Sequence, residues 1–130
     1  MRILVGYDGT TDFVRVLELS KKHAGVFKAH LDIFTATPHS PELHTPKIEK
    51  IERELNEIKE QLFNEGISCE THLIVRSLSP GEDICEFARN NNIDEIIIGV
   101  KLRSKIGKLL MGSTAQYVIL QAPCPVLSVK

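Results

Sequence analysis

The chain has 130 residues, of which 42% are hydrophobic and 25% charged, with a net charge of -1 at neutral pH. That size and mixture suit one soluble domain around one core, and the near-neutral balance supplies no overall field for nucleic acid or an anionic membrane. Three scattered cysteines, Cys69, Cys85 and Cys124, match neither a disulfide framework nor metal-ligand spacing and are expected as reduced, mostly buried small residues.

The apolar start Ile3-Leu4-Val5 turns polar at Asp8 before a signal-peptide core develops. No apolar run approaches the roughly 20 residues that span a bilayer, so a cytoplasmic protein without a membrane segment is expected. Ile3 to Val5 predict a strand that breaks at Gly6-Tyr7-Asp8-Gly9-Thr10, after which Phe13, Val16, Leu17 and Ser20 recur at helical spacing until Gly25. Leu31 to Thr35 predict a second strand, followed by a loop rich in breakers, Thr37-Pro38-His39-Ser40-Pro41. Thr45-Pro46 reads as an N-cap with proline at the first helical position. Ile48, Ile51, Leu55, Ile58 and Leu62 then form the apolar stripe of a helix closed by Gly66.

Ile67 to Val75 predict the third strand, and Ser79-Pro80-Gly81-Glu82 has the capping-box pattern that opens a helix through about Asn91. Asp94 to Gly99 hold the fourth strand, whose unbroken Ile96-Ile97-Ile98 implies burial on both faces. Ser113-Thr114-Ala115-Gln116 repeats the capping-box spacing and opens a last helix to about Gln121, before a final strand from Val126 to Val129. Strict alternation of strand and helix predicts an α/β fold: a parallel five-stranded sheet covered on both faces, with right-handed crossovers. Ligands of such sheets lie beyond the carboxyl ends of the strands, where the winding direction reverses.

The stretch from Gly99 to Ser113 carries the strongest chemical signal. Glycines, the cations Lys101, Arg103, Lys105 and Lys108, and a Ser/Thr helix start follow directly on an apolar strand. Glycine lets backbone approach a ligand, and a helix start offers unpaired N–H groups to an anion. Arg103 suits a fork-like phosphate contact, whereas Lys105 and Lys108 equally suit a solvated loop. Gly112, Ser113 and Thr114 would present N–H groups and hydroxyls to phosphate, although the same residues cap a helix without any ligand. Gly107-Lys108 is not a P-loop, because Leu109 stands where Ser or Thr is required. His39 and His44 are not expected to hold a metal. Cys124, between two prolines, is read as structural. No nucleophile, base and orienting acid fall together, so at most slow phosphate hydrolysis is expected and no catalytic residue is assigned.

Three segments resemble the universal stress protein family: Ile3-Leu4-Val5-Gly6-Tyr7-Asp8-Gly9-Thr10, Ser79-Pro80-Gly81-Glu82-Asp83-Ile84 and Ala122-Pro123-Cys124-Pro125-Val126-Leu127. The likeness runs through residues 1–130 as one domain. It implies a Rossmann-like sheet of order 3-2-1-4-5, a homodimer paired through Val126 to Val129, and a bound adenine nucleotide, ATP or AMP, with magnesium if ATP. The family's nucleotide motif is G-x2-G-x9-G-[ST]; Gly99, Gly112 and Ser113 match it, while Leu102 stands at the middle glycine. The resemblance places Asp8 near the ribose or base and Thr35 toward the adenine pocket. The candidate nucleotide-binding set is therefore Asp8, Thr35, Gly99, Arg103, Gly112, Ser113 and Thr114, at the carboxyl ends of the first and fourth strands. The implied role is a small stress-response regulator acting on an unidentified protein partner. The alternative is an interaction module of the same fold that needs no nucleotide, with Leu102 filling the pocket.

Overall fold

The computed structural model of the chain describes residues 1–9, 12–38, 46–76 and 79–130, the side chains at 38, 76, 103–105 and 109 excepted. In chain order the elements are β1 (Arg2–Gly6), α1 (Phe13–Phe27), β2 (His30–Pro38), α2 (Pro46–Asn64), β3 (Cys69–Arg76), α3 (Pro80–Asn90), β4 (Glu95–Gly99), β5 (Leu102–Lys105), β6 (Lys108–Met111), α4 (Ser113–Gln121) and β7 (Val126–Val129). The main sheet is parallel throughout, with strand order β3-β2-β1-β4-β7. This is the predicted 3-2-1-4-5 arrangement once β5 and β6 are set aside.

Alternation along each strand divides the core between the two faces. Ile3, Val5, Leu31, Ile33 and Ile97 pack with Val16 and Leu17 of α1 and with Leu55 and Leu62 of α2. Leu4, Phe34, Ile96 and Ile98 pack with Ile84, Cys85 and Ala88 of α3 and with Val118 of α4. Each wholly buried Ile or Leu contributes about 1.5–3 kcal/mol relative to an exposed one. Among the described residues no helix is long and apolar enough to cross a membrane.

Local chemistry sets several boundaries. Ser79 Oγ accepts from the Glu82 N–H while a Glu82 carboxylate oxygen accepts from the Ser79 N–H, completing the expected capping box of α3. Gly66, at φ 75°, follows α2 in the left-handed region that glycine occupies without strain.

Four expectations need correction. Gly25 does not end the first helix; α1 runs two residues further, and Lys28 at φ 51° closes it by donating its N–H to the Ala24 carbonyl. Thr37 and Pro38 belong to β2 rather than to a loop, because both pair in register with β3. The last helix has no capping box: Gly112 is its N-cap and makes no side-chain cap, so the hydroxyls of Ser113 and Thr114 lie inside the first turn. Finally, the cationic stretch after β4 folds as an antiparallel hairpin, with Leu102 opposite Met111 and Lys105 opposite Lys108. Its two-residue turn, Ile106-Gly107, has φ of 48° and 72°, the doubly positive signature that matches strand twist.

Candidate functional site

β1 is central, and the chain leaves it toward β2 and β3 on one side and β4 and β7 on the other, so the winding reverses between β1 and β4. Register brings Val5 beside both Ile33 and Ile97, and the Tyr7 N–H reaches the Phe34 carbonyl at 2.8 Å. The residues just beyond this level, Asp8, Thr35 and Gly99, consequently emerge side by side.

They open into a cleft of about 470 Å³, within the size range of small-molecule sites. Phe34, Ile84, Ile98 and Ala115 give it an apolar floor. Asp8, Thr35 and Thr37 line one region of the wall, and Gly99, Gly112, Ser113 and Thr114 another. Of the residues expected at a nucleotide site, six therefore share one cavity. The seventh, Arg103, has its backbone in β5, and its side chain lies outside the described residues, as do His39 and His44.

Each side chain reaches the cleft for a local reason. Asp8 follows the end of β1 and precedes Gly9, whose φ of 74° turns the chain back toward α1. Thr35 and Thr37 are two apart on β2, share a face, and are 9% and 7% exposed. At Gly99 an added Cβ would stand 3.3 Å from a Val16 methyl, so the small residue permits close packing of α1 against β4. At Gly112 an added Cβ would meet nothing within 4 Å, which leaves open space beside the start of α4. The first N–H groups of α4 lack helical acceptors and carry the positive end of its dipole.

Sequence reasoning missed the wall contributed by α2. Lys47 and Ile51 line the cleft, so cations come from both α2, at Lys47, and the β4–β5 connection, at Lys101. Lys47 directly follows the helix-opening Pro46, and that position was its one available signal. Tyr7 also lines the cleft, donates its hydroxyl to a Glu54 carboxylate oxygen on α2, and packs edge-on against Phe13 with ring centroids 4.8 Å apart. Burial, with the Glu54 hydrogen bond, pushes the Tyr7 phenol well above its ordinary range, so Tyr7 stays protonated and ties α2 to the β1 end.

A doubly wound parallel sheet with a polar-rimmed crevice over its switch point defines a Rossmann-like α/β protein. The model of the universal stress protein family matches residues 1–130. The "universal stress protein in QAH/OAS sulfhydrylase 3'region" of Thermus aquaticus is 31% identical over 134 residues, spanning 98% of this chain and 97% of that one. A universal stress protein from Archaeoglobus fulgidus superposes with a TM-score of 0.87 at 32% identity, over 100% of this chain and 98% of that one. A universal stress protein from Archaeoglobus fulgidus solved in complex with dAMP gives a TM-score of 0.81 at 29% identity, with the same coverage. The chain belongs to the universal stress protein family.

Proposed function

We propose that the cleft binds an adenine nucleotide, and that the protein is a small dimeric regulator whose surface reports nucleotide occupancy to a protein partner in the cytoplasm during stress. The observation that carries this reading is the convergence of Asp8, Thr35, Gly99 and the α4 start, Gly112 to Thr114, on one cavity of nucleotide size. The dAMP complex of the Archaeoglobus fulgidus relative supports the ligand class.

In this reading the carboxylate of Asp8 accepts hydrogen bonds from ribose hydroxyls, and Thr35 faces the base over the apolar floor. The N–H groups that open α4, with the Ser113 and Thr114 hydroxyls, hold phosphate, Gly112 leaves room for the approach, and Gly99 lines the cleft beside them. Lys47 and Lys101 neutralise its charge, and Arg103 supplies a further phosphate contact. With ATP, magnesium would offset the phosphate charge, and Asp8 is the cleft carboxylate that would help to hold it. Among the described residues the cleft groups no nucleophile with its own base, and the reading is one of binding.

A second reading has its own observation. Leu102, at the motif's middle glycine, does not fill the pocket as expected: it is not among the residues that line the cleft, and it stands 39% exposed on a hairpin, where an apolar side chain offers a contact for an interaction module that works without nucleotide. Calorimetric titration of the ligand-stripped protein with ATP and with AMP, in magnesium, separates the two. Micromolar binding supports the nucleotide-responsive regulator. Absence of binding up to millimolar nucleotide leaves the interaction module.

A further inference from the structure

At the end of the sheet opposite the cleft lies a second constellation, independent of the nucleotide reading. β2 begins His30-Leu31-Asp32, and β3 begins Cys69-Glu70-Thr71-His72. Side chains two apart on a strand share a face, and the register sets Asp32 beside Glu70 and Phe34 beside His72. His30, Asp32, Glu70 and His72 thus form a two-by-two patch on the face that α3 covers, with His72 packed on Phe87 at 4.6 Å between ring centroids.

The geometry points to a site for a divalent cation of the zinc class, held by His30 Nε2, Asp32 Oδ1 and a Glu70 carboxylate oxygen. His30 Nε2 lies 3.7 Å from Asp32 Oδ1 and 3.9 Å from Glu70 Oε1, and one donor atom from each residue lies within 4.8 Å of the other two. Ligand atoms around tetrahedral zinc, with bonds of about 2.0–2.2 Å, stand roughly 3.3–3.6 Å apart. His30 has to close on each carboxylate by only a few tenths of an ångström, and the exposed Glu70 side chain swings toward Asp32 to complete three protein ligands, with water in the fourth position.

The surroundings prepare those ligands. His30 Nδ1 is 2.6 Å from Ser68 Oγ; a proton on Nδ1, donated to Ser68, leaves the Nε2 lone pair directed at the two carboxylates. Asp32 is wholly buried, and Arg2 Nε donates to its Oδ2 at 3.0 Å, which fixes the carboxylate's orientation. Oδ1 already accepts from Arg2 Nη2 at 2.8 Å and contacts His72 Nε2 at 2.9 Å, so an arriving ion displaces one of these hydrogen bonds. Arg2 also repels a cation. Two carboxylates against one guanidinium still leave net negative charge. Glu70, with its side chain 61% exposed, provides the entry path.

The test is a calorimetric titration of the full, untagged chain with zinc chloride in a non-chelating buffer, repeated with cobalt(II) while visible absorption is followed. One ion per chain is expected, with the intense absorption of tetrahedral cobalt. His30→Ala and Glu70→Gln should each weaken binding about tenfold or more. Glu70 is exposed, so Glu70→Gln keeps the fold, as its far-UV circular dichroism would verify. Cys69→Ser should leave binding unchanged. The proposal is overturned if the natural chain shows no saturable binding, if binding survives both His30→Ala and Glu70→Gln, or if Cys69→Ser removes it.

Discussion

At Asp32, burial pushes the carboxyl toward protonation, but hydrogen bonds from His72 and Arg2 outweigh burial and hold it below the ordinary carboxylate range. A carboxyl depressed in the folded state stabilises the protein above its unfolded pKa, and that stabilisation is lost as pH falls through the folded value. Asp32→Ala should therefore cost most near neutral pH. The expected loss is about 2 kcal/mol, less than for a fully buried pair because the Arg2 side chain is 36% exposed. Urea denaturation at pH 7 and at about pH 3 checks the sign, since the gap between natural and variant chains should narrow on acidification. In the cleft the corresponding test is affinity. Asp8→Ala and Ser113→Ala should each weaken adenine-nucleotide binding by about 1–3 kcal/mol by calorimetry. Ser113 makes no cap to its own helix, so its substitution separates ligand contact from helix stability. Unchanged affinity in both variants would remove this site.

At the scale of elements, the contact between α3 and α4 is set by one missing side chain. A Cβ at Gly81 would stand 3.0 Å from Tyr117 Cβ, an atom fixed to the backbone of α4. Gly81→Ala must separate the two helices, and the cost of overpacking should exceed the gain in helix propensity, for a net loss of about 1–2 kcal/mol. A thermal melt lowered by several degrees is the expected reading; an unchanged melt would mean that the pair can shift freely. Most elements were legible because periodicity and caps agreed, as where Ser79 and Glu82 flank the proline that opens α3. The hairpin was not. Its turn places a β-branched Ile106 at φ 48°, where asparagine or aspartate would have announced it. The glycines and cations around it carried the stronger signal, a phosphate loop. Candidate site residues on β1, β4 and α4 could be read from position beyond apolar strands. Lys47 reaches the cleft only through the packing of α2, which local spacing does not encode.

For the whole molecule, the sheet joins a cleft at its carboxyl end to a charged patch at the other, and it ends laterally in β7, which pairs only with β4 among the described residues. A strand edge with unpaired N–H and C=O groups is a template for a second copy, and a twofold axis beside β7 would join two sheets antiparallel. The ladder identifies which groups are available. The carbonyls of Pro125 and Val129 accept from Ile96 and Val100, so these residues turn toward β4, and the alternation turns the amides of Val126 and Ser128 outward. Ser128→Pro therefore deletes an outward N–H and adds a ring at the edge without removing a bond to β4. Sedimentation of the natural chain at micromolar concentration should report a dimer, and Ser128→Pro a monomer with unchanged far-UV circular dichroism. A monomeric natural chain would refute dimerisation, while a variant that folds and still dimerises would place the interface away from β7. Equal nucleotide affinity in monomer and dimer would mean that each copy carries a complete site, whereas loss of affinity in the monomer would mean that the partner completes it.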